Sequence, residues 1–460
     1  MAMGRRKKSR QKALWVASED LGRGPGHPFY ERLNRVLDDE DFDAFVEEHC
    51  APFYAERQGR PSLAPAVYFR LLLIGYFERI DSERGIAWRV ADSLTLRSFL
   101  GLELSDSVPD HSTISRNRRL LDLEVHRSVF SRVLEILAKH RILQGKTLGI
   151  DSTTLEANAA LRSIVRRDTG QAYEEFLEEL AKASGIETPT RSDLAKLDQK
   201  RKGKGSNDDW QSPHDPDATI TKMKDGRTKL AHKAEHVVDM DSGAVVAVRI
   251  ARAASGDTQT FEASLEEALS NLEGVLDHPP AAAALDRLAE ELVADKGYHS
   301  NAVLESVAEL GIRSYISEPK RGRRRWRGKE AVRDATYANR RRTKREKGKR
   351  LQRVRGERVE RGFAHCYDQG GMRRTHLRGR DNIAKRALIH VAGFNLGLLM
   401  RQLVGAGTPR RLHGHLAALL SALESLLAAI CTRLNRVWRP ILNHTPKNPD
   451  QTLAHDGSVI

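Results

Sequence analysis

Apolar residues recur every three to four positions from residue 29 to about residue 141, the spacing of helices that bury one face. The pattern predicts helices over 29–37, 42–50, 63–80, 83–94 and 112–140. Ser62 and either Asp81 or Ser82 are the N-caps, and Gly75 and Gly101 the interior breakers. The texture then changes. Residues 146–150 read as a short apolar strand ending on Asp151. Alternating runs return at 234–239 and 244–251, joined by Asp241-Ser242-Gly243, a hairpin signal. A helix over 258–273, a strand over 291–294 ending on Asp295, a helix over 301–310 and a strand over 313–316 follow. Helices over 350–364 and 381–403 come next. A hairpin is antiparallel and the later crossovers are of the βαβ kind, so the order predicts an α/β layer with a mixed sheet and flanking helices.

Between these elements lie stretches of another character. Residues 1–28 read as a basic disordered arm, and 29–141 as a helical domain. An α/β domain over 146–404 carries insertions at about 158–230 and 318–350. The first insertion is polar, with a helix over 172–183 and a Lys/Gly-rich loop over 199–206. Residues 405–460 hold a leucine-rich helix over 416–434 and a polar tail. Ser421, Glu424, Ser425 and Arg433 interrupt that helix, which favours a packed amphipathic helix over a membrane span of ~20 uncharged residues.

Composition narrows the class. Lys and Arg total 77 against 62 Asp and Glu, a net charge of +15, which favours a polyanionic partner. The three cysteines, Cys50, Cys366 and Cys431, form no CxxC pair, which argues against a zinc ribbon or a disulfide framework and fits a reducing compartment. The basic N-terminus precedes no apolar segment and does not read as a signal peptide.

Asp151, in Leu148-Gly149-Ile150-Asp151-Ser152-Thr153, and Asp295, in Leu292-Val293-Ala294-Asp295-Lys296-Gly297-Tyr298, each follow an apolar strand. Two such strands side by side bring two carboxylates within reach of one hard cation. Taken singly, each Asp reads more readily as a cap on the next turn or helix. A third acid is Glu360, beside the apolar pair Val359 and Phe363; Glu357, one turn earlier, competes with it. Three acids suit phosphodiester chemistry, in which two metal ions about 3.5–4 Å apart activate the attacking hydroxyl and stabilise the leaving oxygen.

The densest charge lies over 320–361, where 20 of 42 residues are Lys or Arg and five are acidic. It includes Arg323, Arg324, Arg325, Arg340, Arg341 and Arg342, with Trp326 and Tyr337 interleaved. A stripe of this kind neutralises phosphates and offers stacking faces. Nearer the N-terminus, 84–100 and 110–121 fit a helix-turn-helix, with Arg116, Arg118 and Arg119 on the second helix. A plain helical bundle with a polar face fits the same pattern.

Together these blocks resemble the DDE transposases of bacterial insertion sequences. The resemblance is carried by Pro109-Asp110-His111-Ser112-Thr113 in a helical N-terminal block, Gly149-Ile150-Asp151-Ser152-Thr153, and Ala294-Asp295-Lys296-Gly297-Tyr298. Val359-Glu360-Arg361-Gly362-Phe363 with Gly371-Met372-Arg373-Arg374-Thr375 completes it. It spans roughly 30–404. It implies a ribonuclease-H-like fold, an N-terminal DNA-binding domain, and Asp151, Asp295 and Glu360 as ligands to Mg²⁺ or Mn²⁺, as two ions. It further implies binding of terminal inverted repeats and target DNA, a homo-oligomer, no membrane, and a cytoplasmic, nucleoid-associated setting. Many relatives carry Tyr and Arg seven and four residues before the glutamate and Lys seven after it. Here those positions are Arg353, Gly356 and Tyr367, so Arg355, Arg358 and Arg373 become the candidate phosphate contacts. Two further readings stay open: a transposase-derived regulator or inactive copy that binds DNA without cutting, and a ribonuclease-H-like nuclease that never joins strands.

Overall fold

The protein, seen in a computed structural model, is described over residues 26–55, 62–201, 205–223, 225–276, 288–320, 322, 324–412 and 414. Its contacts divide it into a compact unit through Pro409 and a second unit from Arg410. The leucine-rich helix expected over 416–434 lies outside the described residues, as do Arg323 and most of the basic arm.

Among the described residues seven α-helices come first: α1 (Pro28–Asp39), α2 (Phe42–Cys50), α3 (Pro65–Glu78), α4 (Glu83–Ala91), α5 (Leu94–Phe99), α6 (His111–Leu120) and α7 (Leu123–Lys139). Local chemistry sets several of their ends. Proline opens α1 and α3, where its missing N–H costs nothing. Ser82 Oγ accepts from Gly85 N at 3.1 Å and starts α4, and Asp110 accepts from Ser112 N at 2.8 Å at the head of α6. Two helices expected as continuous are broken by the same device. Ser93 caps α5 through Leu96 N, and Asp122 caps α7 through Val125 N. The cap expected at Ser62 is not used; α3 begins on Pro65 after Ala64. Buried Arg70 bonds Asn34, Asp38 and Asp43, tying α3 to α1 and α2.

The sheet begins with β1 (Thr147–Glu156). The inserted stretch after it holds β2 (Val165–Arg166), α8 (Tyr173–Ala183), α9 (Arg191–Lys200) and β3 (Trp210–Gln211), gathered around buried Trp210. β4 (Thr219–Lys222), β5 (Thr228–Asp239) and β6 (Val245–Arg252) follow, then α10 (Asp257–Leu276), β7 (Glu291–Ala294), α11 (Asn301–Glu309) and β8 (Arg313–Ile316). The chain continues through α12 (Glu330–Lys344), α13 (Glu346–Phe363), a π-helical turn over Ala364–Gln369, and α14 (Arg380–Val404).

β5 pairs antiparallel with β1 along one edge and with β4 and then β6 along the other; β7 pairs parallel with β1, and β8 parallel with β7. The first insertion is therefore shorter than expected: β4 and the first residues of β5, placed by the pattern within about 158–230, belong to the main sheet. From Leu230 onward β5 is buried on both faces. The stretch expected as a second insertion over 318–350 holds α12. Its Val332, Thr336 and Asn339 are buried, and Asn339 hydrogen-bonds both Ile316 N and Ile316 O at 2.8 Å, completing the edge of β8.

α14 packs against α3 and α7 on one side and β6 on the other, and Asn395 bonds Val245 N and O at 3.0 and 2.8 Å. Its apolar length would suffice to cross a membrane, but it is mostly buried within the protein, as a core helix is.

Candidate active site

Asp151 was expected at the end of a strand; it is instead the fifth residue of a ten-residue one. The strand runs on because β5 continues the antiparallel ladder to Glu156. Against β7, however, the pairing stops one residue earlier, at Ile150 and Ala294. Asp151 and Asp295 are therefore the first residues beyond the parallel ladder on two adjacent strands, and they face each other electrostatically.

Asp151 shares a face of the sheet with its cross-strand partner His236, and α13 covers that face. Gln352 Nε2 donates to Ala294 O at 2.9 Å and to Tyr315 O at 2.6 Å, above β7 and β8. Three residues on, Arg355 Nη1 meets Asp151 Oδ2 at 2.5 Å. Farther along, Phe363 packs on the His236 ring at 4.7 Å, above β5. The helix thus crosses the sheet with residues 352, 355, 359, 362 and 363 inward.

Burial pushes the Asp151 carboxyl above the usual range, against the pull of the Arg355 guanidinium; nearby Asp295 adds to the rise. Asp295 Oδ1 accepts from Gly297 N at 2.7 Å and so caps the turn Lys296–Tyr298. Glu360 is exposed and makes no hydrogen bond or ion pair among the described residues. Arg358 leans toward the β5–β6 hairpin, its Cδ 3.3 Å from where a Cβ on Gly243 would stand. Two residues on, about 200° around the helix, Glu360 leaves the opposite flank, on the side where β1 runs out past Asp151. Glu357 points outward and pairs with Arg361 at 2.6 Å. Among the described residues no three acid, histidine or cysteine side chains converge closely enough to hold an ion. The site brings together two of the three expected acids.

Arg373 lies on the same face as Asp151. Residues 373–375 run beside the end of β1, Glu156 N donating to Arg373 O and Thr375 N to Glu156 O, both at 2.9 Å. Arg373 Nη1 donates to Thr153 Oγ1 at 2.8 Å. Tyr367, at the position where the resemblance leads one to expect Lys, is fully buried and bonded to His236 Nε2 at 2.7 Å, so it cannot reach a phosphate.

The basic residues divide sharply. Arg324 and Arg340 converge on Glu318, and Arg342 bonds Ser314 O and Oγ. Trp326 lies under Arg324 and 6.1 Å from the Tyr337 ring. Arg118 pairs with Glu83, joining α6 to α4. Arg116, Arg119, Arg325 and Arg341 are exposed. A guanidinium already holding fold carboxylates or carbonyls reaches a phosphate only by giving those bonds up. No sequence signal separates the two groups, because most of the partners are distant in the chain.

Three antiparallel strands extended by two parallel ones, with a carboxylate just past the parallel ladder on each of two adjacent strands, define a ribonuclease-H-like α/β enzyme domain. The family model described as Transposase DDE domain matches residues 150–396, and that described as Transposase domain (DUF772) matches 18–120. The chain belongs to the DDE transposase family, whose members act on DNA and use divalent metal ions. No curated protein and no solved structure matches it.

Proposed function

We propose that this transposase cuts the ends of its own insertion sequence and joins them to target DNA, with Asp151, Asp295 and Glu360 holding two Mg²⁺ or Mn²⁺ ions. The observation that carries this reading is the register that leaves Asp151 and Asp295 side by side beyond the β1–β7 ladder, under the helix that bears Glu360. The donors suit a hard cation. They are carboxylate oxygens without competing thiols, and Asp151 already accepts a cationic group, the Arg355 guanidinium.

When bound, the ions would supply activation of the attacking hydroxyl and stabilisation of the leaving oxygen in an in-line displacement. The chain's own part is placement. Asp151 and Asp295 are held by the sheet and by the turn that follows Asp295, so they need little rearrangement on loading. Glu360, exposed on the flank of α13, would complete the set. Arg355 leaves Asp151 for a phosphate oxygen, and Arg373 exchanges its bonds to Asp368 and Thr153 for the next phosphate along the same face. The helical N-terminal region, with exposed Arg116 and Arg119 on α6, engages the inverted repeats, while exposed Arg325 and Arg341 add nonspecific phosphate contacts. The protein acts as a homo-oligomer, because two ends must be brought together.

The test is Asp151→Ala. Cleavage of a plasmid carrying the element's ends is abolished, while retardation of end DNA on a gel survives. Cutting at the parental rate by this variant refutes the assignment. Transfer of a labelled 3′ end into target DNA separates a transposase from a nuclease that never joins strands.

A further inference from the structure

Behind the acid pair, on the other face of β1, lies a buried polar cluster that the chemistry above does not use. Ser152 shares that face with Glu235. Glu235 is 1 % exposed and accepts from Thr260 Oγ1 at 2.8 Å, Tyr298 Oη at 2.7 Å and Ser264 Oγ. Lys233, 3 % exposed, bonds Thr260 Oγ1 at 2.8 Å and pairs with Glu235 at 3.3 Å. The outermost member is Asp257. Its Oδ1 accepts from Ser152 Oγ at 2.9 Å and pairs with Lys233 Nζ at 2.7 Å. Its Oδ2 lies against Gly297, where a Cβ would overlap it and stand 3.0 Å from Asp295 Oδ1.

Asp257 is the first residue of α10, and a helix-capping role would explain an acid there. Its oxygens nevertheless take no hydrogen bond from the α10 backbone among the described residues; they turn toward Ser152, Lys233 and Gly297. The location matters because the β1–β7 ladder ends at Ile150 and Ala294. Beyond that point no strand pairing ties the segment carrying Asp151 to the segment carrying Asp295. Asp257 touches both, one residue after the first aspartate and two after the second.

We infer that Asp257, fixed by Lys233, is a positioning residue: it bridges the two segments across the gap in the ladder and sets the separation of the Asp151 and Asp295 carboxylates. It acts through the two aspartates rather than on the substrate. The inference rests on the proposed role of the acid pair and adds to it the residue that holds the pair in register. Outer partners of metal ligands typically change metal affinity by about 10- to 100-fold when removed.

The experiment compares the parent with Asp257→Asn and Ser152→Ala. The two readouts are Mn²⁺ binding by the DNA-free protein, followed by electron paramagnetic resonance of the free ion, and the Mn²⁺ dependence of nicking on a plasmid carrying the element's ends. The expected result for Asp257→Asn is weaker Mn²⁺ binding by about tenfold or more. Nicking recovers toward the parental rate at high Mn²⁺, and gel retardation of end DNA is unchanged. Ser152→Ala, which loses one hydrogen bond of the bridge, shifts both readouts in the same direction by less. Parental Mn²⁺ binding and Mn²⁺ dependence in both variants overturn the inference. If Asp257→Asn does not fold, Ser152→Ala decides alone. If the parent binds Mn²⁺ but never nicks, the proposed function fails while the binding comparison still judges the bridge.

Discussion

Replacing Tyr298 by Phe removes one oxygen atom and leaves the ring in place, 6.0 Å from the Phe261 ring. That oxygen donates to Glu235 Oε1 at 2.7 Å in a site where the tyrosine is 0 % exposed. Burial and the adjacent carboxylate drive the phenol's pKa far upward, so it remains a donor at any working pH. A hydrogen bond to a charged group contributes about 1.5–3 kcal/mol. Glu235 keeps Thr260, Ser264 and Lys233, which places the loss at the lower end, about 1.5–2 kcal/mol. A missing hydroxyl leaves little cavity, so no packing penalty of note adds to it. Equilibrium urea denaturation should show a lower midpoint with unchanged slope. The turn Lys296–Tyr298, which carries the Asp295 cap, also loses its anchor to β5, so nicking should need more Mn²⁺ than in the parent. Pairing the change with Glu235→Gln in a double-mutant cycle isolates the Tyr298–Glu235 coupling. A loss under about 0.5 kcal/mol, or a coupling near zero, would refute the view that Tyr298 secures this turn through Glu235.

Two further outcomes test the fold. Asn339→Ala should destabilise the protein by about 2–4 kcal/mol, because it strips both hydrogen bonds from Ile316 and leaves the buried edge of β8 unsatisfied; an unchanged urea midpoint would show that α12 is not held this way. Acid should weaken the fold through His126 and His236, whose pKa values burial lowers from 6.5 to about 3. A depressed folded pKa means that stability is fully present above pH 6.5 and is lost as pH falls toward 3, by up to about 1.4 kcal/mol per pH unit for each histidine. Urea midpoints between pH 7 and pH 5 check this, and a flat profile, or an unaltered slope in His126→Gln, contradicts it.

Much of this architecture follows from local rules. Period-two alternation with a Gly turn marks the β5–β6 hairpin, and apolar runs ending on acids mark β1 and β7. Ser82, one of two candidate caps for α4, marks a helix start because a side-chain oxygen caps amides only two or three residues away. Asp151 and Asp295 stand out as candidates for the same reason, since each follows an apolar run; that their two strands are neighbours is not a local fact. Partners far apart in the chain are not. That Asp151 lies mid-strand depends on the length of β5, some 80 residues on. Whether an arginine faces solvent or is held on Glu318 depends on which strand it folds over, so Arg340 and Arg341 look alike in the sequence and differ in the fold. Asp257 reads as an acid at a helix start, and Lys233 as a residue just outside a strand. Only the closing of the sheet, which brings β5, α10 and the turn after β7 behind β1, makes them neighbours. Pairing and burial are settled by contacts between distant segments, and a one-dimensional pattern carries the propensity for those contacts but not their partners.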